Sequence, residues 1–354
     1  MMRQRLFNRI NFTDIAIGII GAALLALIVI GSYKTLQAGD YTARQWMDFV
    51  VFGISQGSIY ALIALGYTLV YGILRMINFA HSEVFMSGAF TAYFAADAMT
   101  RSGFFKGNPF VAILILFAIG MTMSVIVAVL VERIAYRPLR RAPRLVPLIT
   151  AIGASFVIQY TFKGLYGSEF KAYPEVPALK GSYTLGIFNI TKVQVLVIVA
   201  AALLMLGLYL YVQYTKTGKA MRAVSEDKDV AILMGINVDA IIVRTFILGA
   251  ALAGAAGILY GLTIRQVNFF MGFVPGIKAF TAAVLGGIGN IPGAMLGGVF
   301  LGLFESVGPI LFLDGLHVPA PYQLKDVIAF SMLVLVLLFR PSGILGERLS
   351  RTKA

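Results

Sequence analysis

The chain alternates long apolar stretches with short polar ones. Apolar runs occupy residues 14–32, 47–71, 79–99, 109–131, 146–166, 192–213, 241–263, 273–290, 293–313 and 323–340. Each is close to the length, about 20 residues, that carries an α-helix across a bilayer core. The pattern predicts an all-α, polytopic membrane protein with about ten transmembrane helices. The run 273–290 is the weakest, because it is short and holds Lys278.

One stretch interrupts the pattern. Residues 75–86 read RMINFAHSEVFM, whereas residues 49–74 and 84–96 carry no charge. The stretch reads as a tight turn between the second and third spans. Asn78 is expected to cap the following helix by accepting a backbone N–H bond. Glu83 falls early in that helix, where a negative charge suits the dipole. His81 beside Glu83 has no such structural account. An inner gate or hinge is its functional alternative.

Composition supports the membrane reading. The 354 residues are 59% hydrophobic and 13% charged, against about 45–50% and about 25% in a soluble domain. There is no cysteine, so disulfides and thiolate metal sites are excluded. The two histidines, His81 and His317, lie far apart and suggest no metal site. No cofactor is implied. The net charge of +13 sits between apolar runs, as in cytoplasmic loops, and does not point to nucleic acid.

Lysine and arginine in the short loops set the expected orientation. Arg133, Arg137, Arg140, Arg141 and Arg144 follow the fourth run; Lys216, Lys219, Arg222 and Lys228 follow the sixth. Arg3, Arg5 and Arg9 open the chain, and Arg340, Arg348, Arg351 and Lys353 close it. With ten spans all four regions fall on one side, so both termini are expected in the cytoplasm. Segments 33–46, 100–108, 167–191 and 314–322 then face outward. The first run lacks a convincing small-x-small cleavage site and is long for a signal peptide, so its retention is expected. No internal period or low-complexity segment stands out, although many transporters are built from inverted repeats.

Two loops look like working surfaces. Residues 215–244 begin polar and become amphipathic. Val224, Ala231, Ile232 and Leu233 lie beside the charges of Glu226, Asp227, Lys228 and Asp229, with Gly218 and Gly235 as expected helix breaks. A short surface helix that docks a partner and a merely solvated loop both fit. Residues 276–306 are glycine-rich. Gly293/Gly297 and Gly298/Gly302 have the spacing that lets membrane helices approach closely. The segment 286–292, GGIGNIP, reads as a tight turn. Glu305 lies within the ninth run, where it either serves function or bonds a neighbouring helix.

Soluble catalytic chemistry is missing. No G-x-x-x-x-G-K-[ST] phosphate loop, HExxH or GxSxG occurs. Uphill transport would draw on an ion gradient or on another chain.

Residues 56–83 (QGSIYALIALGYTLVYGILRMINFAHSE), 217–261 (TGKAMRAVSEDKDVAILMGINVDAIIVRTFILGAALAGAAGILYG) and 276–298 (GIKAFTAAVLGGIGNIPGAMLGG) resemble the branched-chain amino-acid permease family, in order. The likeness spans about residues 49–345 and is nearest to the LivH type. Two departures stand out: Ser82 replaces the glycine of the H-G-E motif, and an extension, residues 1–48, adds the first run. Residues 346–354 form a tail.

The resemblance implies the membrane subunit of an ATP-binding-cassette importer and no enzymatic activity of its own. It implies a second permease of LivM type, two cytoplasmic ATPase subunits, an extracytoplasmic substrate-binding protein and a bacterial inner membrane. The loop 215–240 would be the coupling element, with Gly218, Arg222, Glu226, Asp227 and Gly235 as its candidate residues. Asn78, His81, Glu83 and Glu305 are candidates for gate or pathway. Gln56, Tyr60, Gln159 and Thr281 would line a low-affinity pathway if they face the interior; otherwise they pack helices. Alternatives are a urea or short-chain amide permease, a stand-alone ion-coupled transporter using Glu83 or Glu305, and an intramembrane enzyme. The last has too thin a residue basis. ATPase dependence separates the importer from the stand-alone transporter.

Overall fold

Each of the ten apolar runs falls on a helix. The computed structural model describes residues 12–346 apart from 141, 144, 187 and 341. Arg3, Arg5, Arg9, Arg141, Arg144, Arg348, Arg351 and Lys353, and the tail beyond 346, lie outside the described residues. In chain order the helices are α1 (Phe12–Ala38), α2 (Ala43–Leu74), α3 (His81–Arg101), the one-turn α4 (Phe104–Gly107), α5 (Pro109–Val131), α6 (Leu145–Tyr166) and α7 (Lys192–Tyr214). They continue with α8 (Lys216–Glu226), α9 (Lys228–Leu233), α10 (Val238–Ile264), α11 (Phe273–Gly286), α12 (Ile291–Leu313) and α13 (Lys325–Phe339).

Among the described residues, eight helices are long and apolar enough to cross a membrane. The two exceptions have physical causes. α3 carries His81, Glu83, Asp97 and Arg101. α11 has only 14 residues, about 21 Å at the helical rise.

Short strands close one end of the bundle. β1 (Lys171–Ala172) pairs antiparallel with β4 (Gln266–Val267), and β2 (Ser182–Leu185) forms a hairpin with β3 (Phe188–Thr191). This is the hairpin end. The opposite end carries α8 and α9. Polar residues start the helices as caps. Thr42 and Thr191 make capping boxes with Gln45 and Gln194, and Asn237 and Asn290 cap α10 and α12.

Close glycine contacts build the centre. A Cβ on Gly302 would stand 2.3 Å from the Gly57 nitrogen and 2.4 Å from the Gly53 oxygen. One on Gly298 would stand 2.4 Å from the Ala61 Cα. The Gly298/Gly302 pair therefore packs α12 against a second small pair, Gly53/Gly57, on α2. Gly297 lies instead against α11, where its Cβ would be 2.1 Å from the Ala282 oxygen. Segment 287–290 is a tight turn, with positive φ at Gly287 and Gly289. It is sealed by backbone bonds from Ile344 and Leu345 to Leu285 and Gly286.

Two short segments of the bundle form an inverted repeat that the sequence reading did not find. Residues 71–79, YGILRMINF, match residues 260–269, YGLTIRQVNF, after one inserted residue. Both arginines are helix C-caps in the left-handed region, Arg75 at φ 57° and Arg265 at φ 58°. Each stretch leads into a further helix: α3 starts on the buried His81, Ser82 and Glu83, whereas α11 starts on the exposed Phe273 and Val274. α2 ends at Arg75, whose guanidinium donates to the Ser225 carbonyl of α8. α10 begins at that same end, where Asp239 meets Arg137 and Arg140. The two copies thus run in opposite directions. Where they meet, a Cβ on Gly272 would stand 2.3 Å from the Ser82 oxygen, and one on Gly276 2.3 Å from the Ser82 Cβ.

Candidate functional site

The loop after α7 folds as two capped helices. The Thr215 hydroxyl accepts from the Gly218 N–H at 3.0 Å and donates to the Tyr211 carbonyl at 2.7 Å. Gly218 lies in the first turn of α8 and does not break it. It is small because a Cβ there would come within 2.1 Å of the Val212 oxygen. Arg222 reaches back to Gln213. The break falls at Asp227, whose Oδ1 accepts from the Asp229 and Val230 N–H groups at 2.9 and 3.0 Å. Asp227 is therefore the N-cap of α9 as well as a surface charge. Gly235 ends α9 at φ 79°. Ile236 N–H bonds the Ala231 carbonyl and Gly235 N–H the Ile232 carbonyl, a Schellman closure.

The expected amphipathic face divides in two. Met221, Val224 and Ala231 are buried, and Met221 borders a crevice of about 70 Å³ with Thr68, Leu69, Ile73 and Val212. Val230, Ile232, Leu233 and Met234 point outward, with Leu233 85% and Met234 76% exposed. Glu226 is exposed beside them. Partial burial, with Arg140 and Arg75 nearby, holds the Lys228 ammonium below the usual lysine range.

The stretch 75–86 turns inward. Asn78 does not cap α3: the N-cap is Ala80, with no side-chain bond. The Asn78 oxygen accepts instead from the Tyr136 hydroxyl at 2.8 Å, both residues being buried. An aromatic hydroxyl out of water takes the acceptor that the sequence alone would assign to a cap. His81 packs edge-on to Tyr67 at 5.0 Å, its Nε2 buried without a partner.

Glu83 lies in the first turn of α3, as expected, but away from any surface. Its Oε1 accepts from Gln159 at 2.7 Å, Ser155 at 3.2 Å and Ser82 at 3.3 Å. The structure thus joins two site residues, Glu83 and Gln159, that are far apart in sequence.

A second charged group, part buried and part half-exposed, surrounds Glu305. Lys278 Nζ lies 2.7 Å from Glu305 Oε1 and 2.7 Å from Asp326 Oδ1, and Lys325 stands 3.7 Å from Glu305. The Lys278 ammonium also sits 5.7 Å over the Tyr60 ring. Gln56, one turn from Tyr60 on α2, is buried with its Oε1 unpartnered, and Thr281 is buried on α11. Sequence reasoning missed Lys278, Asp326, Ser155 and Tyr136. Lys278 carried a usable signal, since a lysine in an apolar run implies a carboxylate partner.

A family model described as branched-chain amino acid transport system, permease component, matches residues 49–337. The chain is 45% identical over 307 residues to the high-affinity branched-chain amino acid transport system permease protein BraD of Pseudomonas aeruginosa, covering 85% of this chain and 96% of BraD. It is 42% identical over 304 residues to LivH, the corresponding permease protein of Escherichia coli K12, covering 83% of this chain and 94% of LivH. A more distant likeness, 27% over 327 residues, links it to the autoinducer 2 import system permease protein LsrC of Yersinia enterocolitica, covering 90% of this chain and 81% of LsrC.

Proposed function

The chain belongs to the branched-chain amino acid transport permease family, and from that premise we propose that it is the membrane subunit of an ATP-driven importer for branched-chain amino acids. It works in the inner membrane with a LivM-type permease, two ATPase subunits and an extracytoplasmic binding protein. Ten segments enter the membrane, α3 and α11 among them, and both termini are cytoplasmic. The basic loops that carry α8 and α9 then face the ATPases, as the positive-inside rule requires.

The observation that carries this reading is the α8–α9 unit. Its helices are capped at each joint, and the single residue Asp227 joins them. It exposes contiguous large apolar side chains in a loop, which marks a contact surface. Closure of the ATPases on nucleotide tilts this unit. Arg75 and the Thr215–Gly218 joint pass the tilt to α2 and α7.

Leu233→Asp and Met234→Asp test the docking face. Losing one such buried side chain costs about 2 kcal/mol, roughly thirtyfold in affinity. Co-purification with the ATPases and substrate-coupled ATP hydrolysis should both fall, with membrane insertion intact. Glu226→Lys should act in the same direction. Normal co-purification and coupling in all three variants would remove the coupling assignment.

A further inference from the structure

Among the described residues, the buried carboxylates of the bundle differ in one respect. Glu132 is paired with Arg140, and Glu305 with Lys278. Glu83, at 0% exposure, has no cation. Three donors converge on its Oε1, and its Oε2 is buried without a partner. An ionisable group inside a membrane bundle is by default a candidate functional site.

Depth and surroundings agree. Ser155 and Gln159 lie in the middle of the 22-residue α6, so Glu83 sits near mid-depth. The first turn of α3 and the start of α11 meet beside it, through Ser82 against Gly272 and Gly276. Non-helical backbone leads into both helices, residues 75–80 and 268–272. At membrane depth such backbone must be covered by protein or line a cavity. In transporters with inverted repeats, broken helices of this kind border the substrate. Half-buried Ser155 separates Glu83 from the flank of α6, where Ile152 and Phe156 are exposed.

We propose that Glu83 receives the α-ammonium group of the amino acid in transit, with Ser82, Ser155 and Gln159 orienting the carboxylate. The inference rests on the importer reading above. The site contacts the group common to all amino acids and leaves the side chain unread. A single carboxylate with no second ligand holds its guest weakly, as a passage requires.

The test uses the full complex in proteoliposomes, with ATP-driven uptake of radiolabelled leucine normalised to assembled complex. Glu83→Gln keeps the shape and removes the charge. Turnover should fall at least tenfold, while the loaded binding protein's half-saturating concentration stays put. Gln159→Lys supplies a resident ammonium to Glu83. It should block uptake equally while raising the thermal stability of the complex, which a packing role would not produce. Unmodified turnover in either variant, or losses that track assembly alone, would overturn the proposal. No ATP-driven uptake by the unmodified complex would overturn the importer reading and this inference with it.

Discussion

Lys278→Met should unfold the protein more readily than its size suggests. The lysine is 4% exposed at its side chain and holds two carboxylates, Glu305 and Asp326, each at 2.7 Å. Without it Glu305 stays buried, with only Lys325 at 3.7 Å. Removing one partner of a buried pair costs about 3–5 kcal/mol, because the other charge is left uncompensated. At about 1.4 kcal/mol per tenfold, this is roughly a hundredfold to several-thousandfold shift in the unfolding equilibrium. Lys278→Met/Glu305→Gln removes the buried charge pair and leaves only the half-exposed Asp326, so it should recover most of the loss. Glu305→Gln alone should be milder than Lys278→Met, because Lys278 keeps Asp326. The assay is SDS titration in mixed micelles, read by the single tryptophan, Trp46, which packs against Phe49 at 6.0 Å on α2. A double variant as unstable as Lys278→Met would refute the electrostatic argument, and so would a neutral Lys278→Met.

The same titration serves two further predictions. Tyr136→Phe strands the buried Asn78 oxygen and should cost about 1–3 kcal/mol; no loss would mean that Asn78 finds another donor. Gly302→Val drives α12 away from α2 and should cost about 1–3 kcal/mol or more, whereas Gly207→Ala, with nothing within 4 Å of its Cβ, should be neutral or stabilising by up to about 1 kcal/mol.

Much of the architecture was legible in the apolar runs, because crossing a bilayer demands length and hydropathy, which are local properties. The Gly298/Gly302 spacing announced a close helix contact for the same reason, though not its partner on α2. Side-chain partners were less legible. Asn78 carries the chemistry of a cap, and only the fold brings Tyr136 to it. Glu83 and Gln159 meet across 76 positions. Gly218 was read as a break because glycine often is one, but its role is set by the distance to Val212. The inverted repeat was present in YGILRMINF and YGLTIRQVNF, yet one inserted residue hid it from a search for a regular period. Asp227 showed its charge in the sequence and its capping role only in the structure.

The two left-handed arginine joints are mechanical twins placed at opposite ends of one molecule. What differs is what each is tied to. Arg75 holds the last turn of α8 through the Ser225 carbonyl. Arg265 holds the Glu175 carboxylate at 2.6 Å and holds that carboxyl below its usual range. One tether is a backbone oxygen, which no pH change uncouples; the other is a side chain that releases as acidity protonates it. The bundle thus provides its own control. A fall in pH loosens the Glu175 tether at the hairpin end, where β1 and β4 still pair, and spares the α8 end.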